Sequence, residues 1–273
     1  MRYKQQLDDD CKPLHMPMPP DSNLNIAALL LAAGRGERMR PLTDHSPKPL
    51  LTVQGKSLLQ WRMETLLRGG FHSAVINTDW LGEQIEAQFG SSFCAPACSP
   101  KPLQLDYSRE GQDFGQALET AGGISRALPK LGEVFWVMAS DIYAPDFVLD
   151  VQDVRRFLAS DRLAHIWLVP NPEHNPSGDF GLDSHSGLAL NIPKGSGQPR
   201  FTFSTVGLYR RELFIPPWCD TPPGNPQGLR AALAPLLRAA MDQHRVSAAL
   251  YTGAWTDVGT PERLALLNAK TQA

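Results

Sequence analysis

The chain contains no apolar run approaching the ~20 residues that a membrane-spanning helix requires, so helical spans are excluded as its organising feature. It also lacks charge of one dominant sign. Its 26 Lys and Arg against 28 Asp and Glu leave a net charge of −2, and no global basic field invites nucleic acid or an anionic membrane surface. Cysteine is scarce, with only Cys11, Cys94, Cys98 and Cys219. The Cys94–Cys98 pair has no second Cys or His pair at ligand spacing, so free thiols fit better than a zinc site. The histidines are scattered and none pairs at ligand spacing. Neither a G-x-S-x-G elbow nor an H-E-x-x-H sequence occurs, which removes two common hydrolase signatures. The first residues, Lys4 and then Asp8-Asp9-Asp10, lack the apolar segment of a secretory signal, and the cytoplasm is the expected location.

What is present is concentrated near the start. The aliphatic run from Ile26 to Ala32 suits a buried parallel strand. It stops at Gly34 and Gly36, with Arg35, Arg38, Arg40 and Lys48 close behind. Glycines allow a tight turn whose bare N–H groups can form an anion nest, and the cations could neutralise a polyphosphate on it. An ordinary glycine turn with a solvated basic face fits the same residues. The dinucleotide fingerprint fails, because Met39 stands where its third glycine belongs. A P-loop fails as well, because Lys48 lies between two prolines.

Residues 1–24 are polar and proline-dotted and are expected to form a flexible extension, with a single catalytic-type domain over 25–273. Ser57 predicts a helix cap for a helix to Arg68, ended by Gly69-Gly70. Short strands are expected at 74–77, 103–107, 134–139, 166–169, 201–209 and 246–251. Helices are expected at 81–89, 115–128, 151–158 and 229–241, the last interrupted or restarted at Pro235, with a final one opened by Thr260-Pro261. Apolar strands alternating with helices predict an α/β fold, a Rossmann-like mostly parallel sheet with helices on both faces. Ligands of such sheets sit beyond the carboxyl ends of the strands. The glycine loop and Asp141 both occupy that edge. Asp141 could cap a following helix or bind Mg²⁺. Asp257, after another strand, has no obvious capping duty because Thr260 is better placed, which tilts the pair of aspartates towards metal. Mg²⁺ typically takes one or two protein carboxylates and completes its shell with water and phosphates.

With these residues assembled, the chain resembles the sugar-1-phosphate nucleotidyltransferases. Leu31 to Met39 with Lys48-Pro49-Leu50 is similar to the family's signature loop, Glu119-Thr120-Ala121-Gly122 to its G-T-A-G segment, and Asp141 and Trp255-Thr256-Asp257-Val258-Gly259-Thr260 to its two metal-aspartate segments. Within the family the resemblance is strongest to the branch that uridylylates N-acetylmuramate 1-phosphate in cell-wall recycling. It rests on Glu37 to Thr43, Ile76 to Gly82, Leu118-Glu119-Thr120 and Leu233 to Arg238. Departures are Ser140 for a glycine before the metal aspartate, Ala121 for a glycine, and no E-K-P motif around residues 191–203. The resemblance implies a sugar 1-phosphate attacking the α-phosphorus of UTP, with Mg²⁺ as cofactor and pyrophosphate released. It implies Arg38 and Lys48 as catalytic residues, with Ala32, Ala33, Gly34, Gly36, Glu119, Thr120 and Gly122 around the nucleotide. Asn77, Asp141, Thr205 and Gly207 fall to the sugar, and Asp141 and Asp257 to the metal. A glucose or mannose acceptor with another nucleotide, and a non-catalytic sugar-nucleotide sensor, are the alternatives this reading leaves open.

Overall fold

The computed structural model describes residues 26–269; the extension expected over 1–24 lies outside the described residues. In chain order the strands and helices are β1 (Ala28–Leu31), β2 (Thr52–Val53), β3 (Lys56–Ser57), α1 (Leu58–Arg68), β4 (Ser73–Thr78), α2 (Gly82–Phe89), β5 (Ser92–Phe93), β6 (Leu103–Arg109), α3 (Glu110–Phe114) and α4 (Glu119–Ala127). They continue as β7 (Val134–Ala139), β8 (Ile142–Tyr143), α5 (Val151–Leu158), β9 (Ala164–Val169), β10 (Gly181–Asp183), β11 (Leu188–Leu190), β12 (Thr202–Arg210), α6 (Leu233–Asp242), β13 (Val246–Leu250), β14 (Thr256–Asp257) and α7 (Pro261–Ala269).

The main sheet has the strand order β10-β11-β13-β9-β12-β7-β1-β4-β6-β5. Its centre, β7-β1-β4-β6, is parallel, as is the β9–β13 pair. Strand β12 runs antiparallel between β7 and β9. Because the parallel centre is covered on both faces, its strands need no polar alternation. Successive residues of β1 show this: Leu29 joins the apolar layer that contains Ile124 of α4 and Leu237 of α6, whereas Leu30 joins the layer that contains Leu59 and Met63 of α1. Strand β7 divides likewise, with Phe135 and Val137 on one side and Trp136 and Met138 on the other. Each such burial contributes roughly 1.5–3 kcal/mol relative to exposure.

Local signals set most boundaries. Ser57 caps α1 by accepting the Gln60 N–H at 3.2 Å, and Asp150 caps α5 by accepting the Gln152 N–H at 2.8 Å. Two expected helices are shorter than their sequence pattern. Gly115 has φ +70° and ends α3, so the helix expected from that residue starts instead at Glu119. Residues 229–232 stay outside α6 because the Ala231 N–H bonds to the Leu118 carbonyl at 3.1 Å and the Ala231 carbonyl accepts the Ala121 N–H at 2.9 Å. Pro235 then falls in the first turn of α6, where its missing N–H costs nothing.

Candidate active site

The glycine loop leaves β1 with its backbone already fixed. The Ala32 N–H donates to Asn77 Oδ1 at 2.7 Å. Gly36 has φ +68°, and a Cβ there would stand 3.0 Å from Thr43 Cγ2, so the turn needs glycine on both counts. Thr43 closes the turn by donating Oγ1–H to the Gly36 carbonyl at 2.9 Å. The Thr43 carbonyl in turn accepts from Trp80 Nε1 and Arg35 Nη1, both at 3.0 Å. Arg35 also lies 3.9 Å over the Trp80 ring.

These contacts correct the reading of four phosphate-facing cations. Arg35 is spent on Trp80 and Thr43, and Arg40 pairs with Asp44 at 2.7 Å. Arg38 is exposed and makes no hydrogen bond or ion pair among the described residues, and Lys48 is turned inward.

Lys48 is 8 % exposed and places Nζ 2.7 Å from Asp141 Oδ2. Asp141 caps no helix, since the chain passes directly into β8. Its position is set from three sides. Ser140 donates Oγ–H to the Leu31 carbonyl at 2.6 Å, tying the end of β7 to β1. The Asp141 carbonyl accepts the Val258 N–H at 2.9 Å. Arg62 of α1, fully buried, donates Nη2–H to the next carbonyl, Ile142, at 2.6 Å. Burial draws the Arg62 pKa down to about 10, with the Asp141 charge opposing that shift.

Pairing of β8 with β14 sets Asp257 opposite Ile142, and with the Val258 N–H on the Asp141 carbonyl it brings the backbones of the two aspartates side by side. Asp257 Oδ2 accepts from Arg263 Nη1 at 2.9 Å and lies 3.3 Å from His174 Nε2. One oxygen of each carboxylate, Oδ1, has no hydrogen-bond partner among the described residues. The free oxygen on each carboxylate is a hard donor of the kind that Mg²⁺ takes one or two of, completing its shell with water and phosphate.

A cavity of about 600 Å³ opens beside this centre, a volume typical of small-molecule sites. Ala32, Ala33, Gly34, Lys48, Asn77, Glu119, Thr120, Asp141 and Thr205 all line it. Gly34 faces open space, with nothing within 4 Å of where a Cβ would project. Thr205 reaches the wall through a bulge in β12, where its φ is +64°. Gly36, Arg38, Gly122, Gly207 and Asp257 are not part of the lining. Two of these glycines instead make room for packing: a Cβ on Gly122 would stand 2.6 Å from the Leu229 carbonyl, and one on Gly207 would stand 2.7 Å from the Tyr209 ring.

The site also contains groups that sequence patterns did not mark. Glu110 is fully buried and lines the cavity. Its Oε1 accepts from Asn77 Nδ2 at 2.7 Å and its Oε2 from the Leu118 N–H at 2.8 Å. Burial raises its pKa; the two hydrogen bonds oppose that shift, and the Asp79 charge adds to it. This carboxylate joins the Asn77 strand end to the segment entering α4. Its place immediately after β6 was the available signal, the same strand-end position that marked Asp141. Phe180, Phe203, Tyr209, Leu233 and Leu237 form an apolar wall at another part of the cavity.

Comparison with known proteins identifies the family. Residues 27–186 match the family model described as nucleotidyl transferase. The chain is 46% identical over 241 residues to N-acetylmuramate alpha-1-phosphate uridylyltransferase of Neisseria meningitidis serogroup B, covering 88% of this chain and 95% of that one. It is 29% identical over 251 residues to the protein of the same name from Caulobacter vibrioides, covering 86% and 92%. A solved structure from Bacillus anthracis, described as a glucose-1-phosphate thymidylyltransferase, shares the fold with a TM-score of 0.71 at 18% identity, covering 90% of this chain and 95% of that one. The signature loop, the paired strand-end aspartates and these likenesses together place the chain in the nucleotidyl transferase family, among the sugar-1-phosphate nucleotidyltransferases.

Proposed function

We propose that the protein is a Mg²⁺-dependent uridylyltransferase that joins N-acetylmuramate 1-phosphate to UTP, giving the UDP-sugar and pyrophosphate, in cytoplasmic recycling of cell-wall sugars. The observation that carries the reading is the buried Lys48 on Asp141 at the wall of a cavity floored by the Gly34 backbone. The nearness of Asp257 and the 46% identity to a relative of that name support it.

In the reaction, a phosphate oxygen of the sugar 1-phosphate forms a bond to the α-phosphorus of UTP. The bond from that phosphorus to the bridging β-phosphate oxygen breaks, and pyrophosphate leaves with the electron pair. The nucleophile is already an anion, so the site needs no general base. It must suppress repulsion between two anions and stabilise charge on the leaving group. Backbone N–H groups around Gly34 and Gly36 hold the triphosphate. Arg38, which has no hydrogen bond or ion pair among the described residues, neutralises the leaving pyrophosphate, and Lys48 bridges the sugar phosphate and the α-phosphate. Asp141 and Asp257 would hold Mg²⁺, which would supply charge neutralisation at the phosphates. Glu119, Thr120 and Ala33 frame the base, and Asn77 and Thr205 flank the sugar side.

The test is pyrophosphate release across the four ribonucleoside triphosphates and dTTP, crossed with N-acetylmuramate, N-acetylglucosamine, glucose and mannose 1-phosphates. UTP with N-acetylmuramate 1-phosphate is expected to give the highest kcat/KM. A higher value for a glucose or mannose acceptor would overturn the sugar assignment, and no release with any pair would favour a non-catalytic sensor.

A further inference from the structure

Both proposed metal carboxylates are already neutralised by the protein. Asp141 Oδ2 carries the Lys48 ammonium at 2.7 Å. Asp257 Oδ2 carries the Arg263 guanidinium at 2.9 Å, and Arg263 donates also to the Asp257 carbonyl at 2.9 Å. Gly259 leaves space for that pair, since a Cβ there would stand 3.1 Å from Arg263 Nη1 and from both Asp257 carboxylate oxygens. Beneath them Arg62 is fully buried, and its Nε and Nη1 have no hydrogen-bond partner among the described residues. Asp141 thus carries the Lys48 charge and stands in the field of Arg62, and Asp257 carries the Arg263 charge. Nor do three or more His, Cys, Asp or Glu side chains converge anywhere among the described residues in a way that could hold a metal ion. A bare divalent cation approaching this centre meets net positive charge and an occupied oxygen on each ligand. A triphosphate approaching it meets the reverse.

We infer that Lys48 is a place-holder for the divalent cation: its ammonium occupies Asp141 in the substrate-free enzyme, and the cation binds only with the triphosphate that draws Lys48 away. The inference rests on the nucleotidyl-transfer reading above and adds an order to it. Lys48 has two successive partners, Asp141 before the phosphates arrive and the phosphates afterwards. The exchange leaves no unpaired charge at either stage, which matters for an ammonium that is nearly buried. Metal and nucleotide then bind with positive, reciprocal coupling.

The test measures Mn²⁺ binding to the full chain without nucleotide, by electron paramagnetic resonance of the free ion. A unit charge ~5 Å from a divalent ion changes binding by about tenfold or more even at the dielectric constant of water. Lys48→Met and the more polar Lys48→Gln are therefore expected to bind Mn²⁺ at least about tenfold more tightly than the wild type. Adding Asp141→Asn to either variant is expected to abolish the gain. In the wild type, α,β-methylene-UTP is expected to bind at least about tenfold more tightly with Mn²⁺ than with EDTA. Thermal melting of each variant establishes that it is folded. Unchanged Mn²⁺ affinity in both Lys48 variants, or a gain that survives Asp141→Asn, would overturn the place-holder while wild-type pyrophosphate release stands. Failure of the transfer reading is seen separately, as absent release.

Discussion

Replacing Glu110 by Gln changes one atom and removes a junction on which three segments of the site depend. The native carboxylate accepts from Asn77 Nδ2 at 2.7 Å and from the Leu118 N–H at 2.8 Å, fully buried. A glutamine offers one acceptor oxygen, so one of the two donors then faces an NH₂ group. Hydrogen bonds to charged groups are worth roughly 1.5–3 kcal/mol, and an unsatisfied buried donor costs about 1–3 kcal/mol. Relief of the buried charge offsets part of that. A net loss of about 2 kcal/mol is expected from these terms, and at about 2–4 °C per kcal/mol the melting temperature falls by roughly 4–8 °C. Because Asn77 also accepts the Ala32 N–H, and Leu118 leads into Glu119 and Thr120, KM for the nucleotide is expected to rise more than kcat falls. The pH profile gives a separate check. Burial raises the Glu110 pKa above its ordinary value of 4.5, so the folded state holds this proton more tightly than the unfolded chain. Its contribution to stability is fully present below pH 4.5 and is lost as pH rises through the raised value. Glu110→Gln is expected to remove that component of the profile. Chemical denaturation at several pH values with steady-state kinetics is the assay, and a variant with wild-type stability, profile and nucleotide KM would refute the reasoning.

Three further substitutions probe the frame around the site. Ser57→Ala removes the cap that accepts the Gln60 N–H and is expected to cost about 1 kcal/mol, read as a lower denaturation midpoint with kcat retained. Gly122→Ala places a methyl 2.6 Å from the Leu229 carbonyl; about 1–3 kcal/mol of overpacking is expected, together with a raised nucleotide KM as α4 shifts against residues 229–232. Trp80→Phe keeps an aromatic face for Arg35 but loses the hydrogen bond to the Thr43 carbonyl. It is expected to cost about 0.5–1.5 kcal/mol and to weaken triphosphate binding, which isothermal titration with a non-hydrolysable analogue measures.

The parts legible in the sequence are those set by local chemistry. The uninterrupted apolar run of β7 and the Val151–Leu158 helix have their expected boundaries, and Ser57 and the glycines after Arg68 bound α1. The strand-end rule located Asp141, and the glycine loop was visible from spacing alone. What sequence could not reveal depends on partners distant in the chain. Residues 229–232 carry a helical composition but are captured by the backbone around Leu118. Glu110 matters through Asn77, 33 residues earlier. His174 read as an isolated histidine, yet its loop brings it to Asp257. Arg35 and Lys48 looked alike as cations in one loop; Trp80 and Asp141, both remote in sequence, give them different duties.

The central claim is that a uridylyl group passes to a sugar 1-phosphate at a centre made by Lys48, Asp141 and Asp257. Its most direct test uses UTP labelled at the α-phosphorus, with N-acetylmuramate 1-phosphate and Mg²⁺, comparing wild type with folded Asp141→Asn and Asp257→Asn. The expected result is label in the UDP-sugar and none in pyrophosphate, with turnover in both variants reduced by two or more orders of magnitude, about 2.7 kcal/mol of barrier. Label released as pyrophosphate or UMP, or near-normal transfer by both variants, would contradict it.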